Sequence, residues 1–451
     1  MKKKVAFISI LIGLLFFLNS SQYLSWFYNL TNFYDSYHVD FYGQFLGKIF
    51  QGIGIVIFCA YLRFYKNRPS QLVELASLIA LNFMLTVFSI LSSPLHFCLP
   101  IGLLMNIAIG ILYAWYVTLT IEIVPRDYYG ISFGAGIGIS CVFSYLLYKF
   151  DTTYVFMTSK YCLFLYAFIS IISIILLLTN QKTITKTGEI IPEGITDIAS
   201  NYTKIVVLTL LTVSIINGLG YFVPSEDITA FHMNVEVMRL FYTIGLVIAG
   251  FINDRSRKIG LVLCLIALTF TFSMPLLRDN QTGIFLTWMF SYLLGGFISV
   301  YRAIIFLDIA VATDNLYLAP IGLLLGRVGE PIGMLMRFHL AQDNALLILV
   351  ISIFYAITLI LFALLFSKLY VGVPAQTNEA VDIHGLFIDK YSLSSREIQI
   401  LDEILEMKSN KEIAADLFIT ESTVKFHVKN LMKKTNCKNR NELISLYNNF
   451  Q

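Results

Sequence analysis

Charged residues are scarce in this 451-residue sequence. Asp, Glu, Lys and Arg together make up 14% of it, whereas hydrophobic residues make up 57%, and the mean hydropathy is +0.73. Soluble domains carry about a quarter charged residues, so we expect most of this chain to face lipid rather than water. The formal net charge of +3 excludes little, because the positions of the charges matter more than their sum.

Patterns that accompany enzyme chemistry are also missing. The six cysteines are scattered without a CxxC pair, and we interpret them as small apolar packing residues rather than zinc ligands or a disulfide framework. The sequence has no phosphate-binding loop, no nucleophile motif and no metal-ligand spacing. We therefore predict a protein that is not an enzyme, with no catalytic residues, no metal and no cofactor.

Long apolar segments fill residues 1–369. The first follows three N-terminal lysines, which would also fit a secretory signal peptide. Residues 19–22 offer no cleavage pattern, however, and the apolar character resumes up to Tyr28, which favours a retained transmembrane helix. Further segments of about the length that a membrane span needs lie near 40–62, 71–93, 99–123, 128–149, 160–179, 205–224, 236–252, 259–277, 284–307, 316–337 and 345–369. With a polar central loop at 180–204, the sequence predicts an all-α, polytopic membrane domain of about twelve helices, six plus six.

Basic residues concentrate in alternate loops of this domain. If the N-terminus is cytoplasmic, the inside loops hold Lys2, Lys3, Lys4, Arg63, Lys66, Arg68, Arg126, Lys182, Lys186, Lys204, Arg255, Arg257 and Lys258. The positive-inside rule then predicts a multi-pass protein of the cell (inner, cytoplasmic) membrane, with the lipid bilayer as a partner. An even number of spans puts both termini in the cytoplasm, where DNA is found.

Several ionisable residues fall within the predicted spans, where charge is expensive and marks functional candidates. They are Glu122, Arg302, Asp308, Arg327 and Glu330. Arg327 and Glu330 are three apart and could pair on one helix face, whereas Arg302 and Asp308 are six apart and are expected to pair with other helices. Two interpretations stay open: ion pairs that hold the bundle together, or a small-ligand site in which Arg302 suits an anionic group.

Residues 392–451 are typical of a soluble helical domain, joined by a tether at 370–391. Capping residues predict three helices: Ser394 or Ser395 opens the first, Ser409 or Asn410 a second over about 411–417, and Thr420 a third over about 421–434. Ile398, Leu401, Ile404 and Leu405 mark the buried face of the first, and Val424, Val428 and Leu431 that of the third. A tight turn at 418–420 completes the plan of a helix-turn-helix.

Basic residues also dominate the end of this domain. Residues 421–440 contain six basic residues and one acid, so one face suits phosphates, although a solvated basic face would be the ordinary explanation.

Three blocks of this domain stand in a fixed order and spacing. They read Leu393-Ser394-Ser395-Arg396-Glu397-Ile398, Asn410-Lys411-Glu412-Ile413-Ala414 and Thr423-Val424-Lys425-Phe426-His427-Val428-Lys429-Asn430-Leu431. The blocks resemble the LuxR-type (NarL/FixJ-type) helix-turn-helix family of transcriptional regulators. The resemblance implies a four-helix domain that binds double-stranded promoter DNA and forms a homodimer through its last helix, 439–447. It implies base contacts from Lys425, Phe426 and Lys429, backbone contacts from Thr423, His427, Lys433 and Lys434, and a DNA-binding role for Asn430.

A second motif lies between the predicted spans at 236–252 and 259–277. Residues 250–258 read Gly-Phe-Ile-Asn-Asp-Arg-Ser-Arg-Lys and resemble the G-x-x-x-D-R-x-x-R/K loop of the major facilitator superfamily. The resemblance implies two six-helix halves and a conformational-gate loop formed by Gly250, Asp254, Arg255, Arg257 and Lys258. The equivalent loop of the first half, 62–71, has lost the Gly and Asp, and a plain positive-inside loop is the alternative interpretation.

Together these features predict a membrane-embedded one-component transcriptional regulator. A small-molecule ligand or other signal, sensed by the transporter-like bundle, would control DNA binding by the cytoplasmic helix-turn-helix. The alternative is a secondary transporter with a regulatory DNA-binding tail.

Overall fold

The computed structural model describes residues 2–64, 71–91, 95–150, 156, 159–180, 196–221, 235–273, 281–340, 344–367, 387–388 and 390–448. The chain forms two compact units, 1–370 and 371–451. Within the described ranges the regular elements are helices and no β-strand occurs, so the predicted all-α class is confirmed.

Unit 1 contains long, mostly apolar helices. They are α1 (Lys2–Leu30), α2 (Lys48–Phe64), α3 (Gln71–Leu91), α4 (Leu95–Ile123), α5 (Tyr129–Phe150), α6 (Cys162–Thr179), α7 (Thr196–Tyr221), α8 (Val235–Arg255), α9 (Arg257–Ser273), α10 (Gln281–Ala312), α11 (Ile321–Leu340) and α12 (Asn344–Phe366). A short helix at Ser36–Val39 and a π-helical stretch at Asp40–Gly47 lead into α2. Because α7 begins at Thr196, helix replaces the end of the predicted loop at 180–204; residues 181–195 lie outside the described ranges.

Ten helical segments among the described residues are long and apolar enough to cross a membrane. The apolar part of α7, Thr203–Leu219, is shorter, and α9 has 17 residues. The count of about twelve spans therefore stays a prediction.

The helices of unit 1 differ in how far neighbours cover them. The middle of α10, from Val300 to Ala310, is buried on every side, which explains why its sequence is apolar apart from Arg302 and Asp308. In contrast, α6 and α12 keep outward apolar stripes at helical spacing. These stripes are Phe164, Phe168, Ile171 and Ile175 on α6, and Leu349, Ile353, Ile357 and Ile360 on α12, each at least 43% exposed. Contiguous apolar surface of this kind suits contact with lipid or another protein.

Among the described residues, α10 contacts α4 and α5, and two larger helix crossings also join α1–α6 to α7–α12. One is α2 against α11, and the other is α5 against α8. The second crossing is close because glycines face each other. A Cβ added to Gly130 would lie 2.4 Å from the carbonyl oxygen of Gly250, and one added to Gly134 would lie 2.2 Å from that of Leu246. Side chains at these positions would force the backbones apart, so glycine permits the contact.

In the described part of unit 2, four helices pack around a core of their own: α13 (Ser395–Leu405), α14 (Asn410–Asp416), α15 (Glu421–Thr435) and α16 (Arg440–Asn448). The predicted stripe of α15 is confirmed, since Val424 and Leu431 are fully buried and Val428 is 9% exposed. On α13 the predicted Leu401 and Ile404 are buried and Ile398 and Leu405 partly so, while the prediction omitted Ile400, which is fully buried.

The domain begins earlier than the sequence indicated. Phe387, inside the predicted tether, is fully buried. The centroid of its ring lies 4.7 Å from that of Tyr391 and 5.1 Å from that of Tyr447. This aromatic contact makes the end of the tether part of the folded unit. Residues 370–386 of the predicted tether lie outside the described ranges.

Candidate functional site

Three polar side chains fix where α13, α14 and α15 begin. Ser394 caps α13 in a capping box with Glu397, and Ser409 caps α14 in the same way with Glu412. The hydroxyl of Thr420 accepts the backbone N–H of Thr423 at 3.2 Å and starts α15. These contacts satisfy amide donors that a helix start leaves unpaired.

The turn between α14 and α15 reverses the chain within a few residues. Phe418 adopts a positive φ of 52°, while the N–H of Ile419 returns to the carbonyl of Ala414 at 3.0 Å. Arg396 on α13 donates to the carbonyl of Leu417 at 3.1 Å, which anchors the turn to the rest of the domain. The predicted helix-turn-helix is therefore present, and one face of α15 is exposed at the surface of the domain.

That face carries lysines beside an open cleft. Lys425, Lys429 and Lys433 are exposed, and the ring of Phe426 is 61% exposed on the same helix. A cleft of about 550 Å³ runs along α15 and is lined by Asn410, Lys425, Val428, Lys429, Met432, Lys433, Asn436, Cys437 and Lys438. Four of these residues are lysines and none is acidic, so the cleft suits a polyanion.

Of Lys425, Lys429 and Lys433, only Lys425 forms an ion pair with an acidic residue that the structure describes. The ammonium of Lys425 lies 2.7 Å from a carboxylate oxygen of Glu421, one turn earlier. This hydrogen bond, together with the charge of Lys425, lowers the pKa of the Glu421 carboxyl. Lys429 and Lys433 have no carboxylate within ion-pair distance among the residues that the structure describes.

Three other side chains that are predicted to contact DNA are less exposed to solvent. Thr423, His427 and Asn430 are half-buried, and the His427 ring lies edge-on to that of Phe426 with centroids 5.4 Å apart. The hydroxyl of Thr423 lies 2.8 Å from that of Thr420, so it belongs to the capping contacts of α15.

The side chain of Lys434 makes contacts within the domain that the resemblance did not imply. Its ammonium donates to a carboxylate oxygen of Glu397 and to the carbonyl of Ser392, both at 2.7 Å. The Glu397 side chain is 6% exposed. Burial raises the pKa of the Glu397 carboxyl, but Lys434 and two donors from Ser394 outweigh burial and hold it below its ordinary value. The geometry makes Lys434 a clamp between α15 and α13, and its contact with the DNA backbone stays a prediction.

Charged residues of unit 1 assemble into two separate clusters. The first, here called the gate network, consists of Arg126, Asp254, Arg257 and Asp308. Arg126 and Arg257 each donate through Nε to Asp308 at 2.9 Å. Asp254 accepts the backbone N–H groups of Gly130 and Ile131 at 2.6 and 2.7 Å, and so caps the start of α5. The network ties the α4–α5 linker to the ends of α8 and α10.

The predicted gate loop contributes to this network only in part. Gly250, Asp254 and Arg257 are at the contact between halves. Arg255 instead lies over the Phe251 ring at 4.2 Å, and Lys258 over the Phe366 ring at 5.1 Å. Asp308 was predicted as a ligand candidate, but its two arginine partners place it in the gate network.

The second cluster, here called the central charge cluster, consists of Lys48, Arg302, Arg327 and Glu330. Arg302 donates to Glu330 at 3.0 Å, and the ammonium of Lys48 lies 4.0 Å from the same carboxylate. The expected pairing of Arg302 and Asp308 with other helices is confirmed, whereas the pair between Arg327 and Glu330 does not form. The guanidinium of Arg327 lies over the Tyr113 ring at 4.9 Å instead.

The sequence prediction missed Lys48, although Lys48 lies inside the predicted span at 40–62. The rule that selected Arg302 would have selected it too. Glu122, the remaining candidate, is half-buried in the last turn of α4.

Comparison with known proteins identifies unit 2. Residues 391–447 match the model of bacterial regulatory proteins of the luxR family. The chain is 38% identical over 58 residues to the spore germination protein GerE of Bacillus subtilis (strain 168), a match that covers 13% of this chain and 78% of that protein. The chain belongs to the luxR family of bacterial regulatory proteins.

Other relatives match the same luxR-family domain. The uncharacterized transcriptional regulatory protein YhcZ of Bacillus subtilis (strain 168) is 54% identical over 52 residues, which are 12% of this chain and 24% of that protein. The nitrate/nitrite response regulator protein NarP of Escherichia coli (strain K12) is 42% identical over 60 residues, 13% of this chain and 28% of that protein. The chain thus spans about a quarter of these two relatives. Both are described as regulatory proteins, and the luxR-family domain supports DNA binding by this chain.

Proposed function

We propose that the chain is a membrane-embedded one-component transcriptional regulator. In this proposal, unit 1 senses a small molecule and thereby controls sequence-specific binding of promoter DNA by the luxR-family domain. The observation that carries the proposal is the lysine-lined cleft along α15, within a chain whose described residues also include ten helical segments of spanning length.

In the proposed complex, α15 enters the major groove of DNA. Lys425, Phe426 and Lys429 meet base edges, because all three are exposed on the cleft side or next to it. An exposed phenyl ring suits the methyl group of thymine, and a lysine suits the acceptors of guanine. Lys433 meets the phosphate backbone, and Thr423, His427 and Asn430 complete the interface from the partly buried edges of α15.

The proposed location of unit 1 is the cell membrane, with both termini in the cytoplasm. Support comes from the outward apolar stripes of α6 and α12, which water would solvate poorly. The basic loops then lie on the cytoplasmic side, as the positive-inside rule requires. The domain is proposed to form a homodimer on DNA through α16.

The proposed signal passes through the contact between the two halves of unit 1. A ligand that binds one arrangement of the halves better than another shifts their equilibrium. Such a shift would separate the Arg126–Asp308 ion pair and the close crossing of α5 and α8. These contacts are discrete, so they provide a two-state element that a ligand can bias.

The experiment that tests this function maps the DNA cross-linked to the tagged full chain in cells. The wild-type chain should enrich a small set of promoters, and Lys429→Ala should lose that enrichment. Lys390→Ala is the matched control, because Lys390 is exposed in the same unit but lies outside the cleft. Absence of sequence-selective enrichment, or equal occupancy by Lys429→Ala and the wild type, would refute the proposal.

A secondary transporter with a regulatory tail is the second candidate. The gate network favours it, because paired charges between two helical halves are what a moving transporter would break and re-form. Ligand flux in proteoliposomes, abolished by Asp254→Asn, would establish transport. Promoter occupancy without any flux would leave the sensor as the function.

A further inference from the structure

The central charge cluster of unit 1 is unbalanced. It holds three cations, Lys48, Arg302 and Arg327, around one carboxylate, Glu330. The formal charge of the cluster is therefore +2. Arg302 is 8% exposed and Arg327 is half-buried, and among the described residues no carboxylate lies within ion-pair distance of Arg327. Buried charge without a counter-charge is costly, and a face of an aromatic ring compensates only part of that cost.

Polar atoms in the same place lack partners. Asn217 joins the cluster because its amide nitrogen donates to Glu330 at 3.5 Å. The Nε of Arg302 and the Oδ1 of Asn217 are both buried without a hydrogen-bond partner in the described part of the chain. Arg302 already uses Nη1 for Ser214 and Glu330, at 2.9 and 3.0 Å. Its Nε is thus a donor left over from the protein's own contacts. Unsatisfied buried donors are rare and call for a partner.

A glycine makes room for the Arg302 guanidinium. A Cβ added to Gly326 of α11 would lie 2.4 Å from the Cζ of Arg302. The guanidinium therefore lies directly on the helix backbone, where any larger residue would displace it. This contact fixes the orientation of Arg302.

The cluster also draws on both halves of the unit. Lys48 and Tyr113 belong to α2 and α4, whereas Arg302, Arg327 and Glu330 belong to α10 and α11. A molecule bound among these groups would touch both halves at once.

We propose that the central charge cluster binds a small oxyanion, with a dianion such as a dicarboxylate or hydrogen phosphate matching its charge. This proposal rests on the proposed function, because it names the chemical class that unit 1 senses. Guanidinium groups bind carboxylate and phosphate oxygens through parallel N–H donors, and no carboxylate among the described residues competes for those of Arg327. Glu330 keeps Lys48 and Arg302 in place and sets the net charge.

The test measures thermal unfolding of the purified full chain in detergent. The probes are sodium succinate, sodium phosphate and sodium acetate, each compared with sodium chloride at equal ionic strength. A further set of measurements adds phosphatidylglycerol or phosphatidylcholine in mixed micelles, and it tests whether a lipid phosphate binds at the site instead. Kosmotropic anions stabilise most proteins, so the comparison between variants decides.

The succinate-induced stabilisation of each variant should follow the formal charge of its cluster. Glu330→Gln raises the cluster to +3 and should show a larger succinate-induced stabilisation than the wild type. Arg327→Gln lowers it to +1 and should weaken succinate binding roughly ten- to hundredfold, as loss of a charged hydrogen bond does. Arg63→Gln is the matched control, since Arg63 also lies over a tyrosine ring, that of Tyr317, outside the cluster.

Arg327→Gln also separates a binding role from a structural one. Without ligand, removal of an uncompensated cation should leave the unfolding midpoint unchanged or raise it. A fall in that midpoint with an unchanged succinate response would overturn the proposal, as would equal responses of all four proteins or no response to any of the three anions. Stabilisation only by phosphatidylglycerol would also overturn the small-anion site. The assay contains no DNA, so its failure differs from failure of promoter binding.

Discussion

Lys434 provides the sharpest test of the DNA-binding domain, because the sequence and the structure give it different roles. The resemblance implied a contact with the DNA backbone, whereas the structure ties its ammonium to Glu397 and Ser392. Lys434→Ala should therefore reduce the stability of unit 2. Lys433→Ala is the matched control, since Lys433 is the preceding residue of α15 and its side chain is exposed along the cleft.

The magnitude follows from what remains around Glu397. A buried carboxylate that loses its only partner costs about 3–5 kcal/mol. Glu397 keeps the N–H and hydroxyl of Ser394, at 2.9 and 2.8 Å, and the Lys434 side chain is 37% exposed. The loss should therefore be nearer that of one charge-assisted hydrogen bond in partial contact with water, about 2 kcal/mol. For a domain of this size, such a loss lowers the unfolding midpoint by roughly 8–16 °C.

The assay is urea unfolding of the fragment 385–451, followed by circular dichroism. The fragment contains the complete core of unit 2. Lys433→Ala should change the unfolding free energy by less than about 0.5 kcal/mol, as surface substitutions do. In DNA titrations the order reverses: Lys433→Ala should weaken binding and lower the salt slope by about one, while folded Lys434→Ala binds almost as the wild type does. Equal stability of the two variants would refute the assigned clamp.

The same pair predicts a dependence on pH. The pKa of Glu397 is lower in the folded domain than its ordinary value of 4.5, so the unfolded chain takes up this proton first on acidification. The stability that the pair contributes is therefore complete above about pH 4.5 and is lost as pH falls through the depressed folded pKa. The stability difference between Lys434→Ala and the wild type should shrink over that acidic range.

Three further changes test other contacts. Thr420→Ala removes the N-cap of α15 and should lower the unfolding free energy of the same fragment by about 1 kcal/mol in the urea titration. Glu421→Gln releases Lys425 from its 2.7 Å ion pair and should strengthen DNA binding at low salt, measured by fluorescence anisotropy; unchanged affinity would contradict a role for Lys425 in binding. Gly130→Ala places a methyl group 2.4 Å from a carbonyl oxygen of α8 and should lower the thermal midpoint of the full chain in detergent. In Gly138→Ala the nearest atom is a side-chain methyl at 3.2 Å, so this control should be nearly neutral, and equal midpoints would show that the crossing tolerates a side chain.

Local patterns predicted unit 2 well because its helices are set by neighbouring residues. Ser394, Ser409 and Thr420 were expected caps, and each one caps a helix. The clamp between Glu397 and Lys434 joins residues 37 apart in sequence, and no periodicity reports such a contact. Phe387 was assigned to the tether for a similar reason, since its partners include Tyr447 near the end of the domain.

The sequence could not predict which charged residues of distant helices in unit 1 pair with each other. Helical spacing placed Arg327 and Glu330 on one face. A shared face does not determine whether the two side chains pair with each other or with residues of other helices. Glu330 pairs with Arg302 across two helices, and Arg327 turns to an aromatic ring. Asp308 looked like a ligand residue because it is acidic within an apolar helix; its partner Arg126 lies 182 residues away.

The two charge clusters of unit 1 differ in a way that matters for switching. The gate network pairs two arginines with two aspartates, so it is neutral and complete with the protein's own groups. Among the residues that the structure describes, the central charge cluster has three cations for one carboxylate and keeps an unused arginine donor. A neutral, satisfied network can hold one arrangement of the halves without help, whereas an unbalanced one gains most from an external anion. In the proposed mechanism the gate network therefore maintains the resting state, and occupancy of the central cluster changes the free-energy difference between arrangements of the halves. A ligand that bound both arrangements equally would leave that difference, and DNA binding, unchanged.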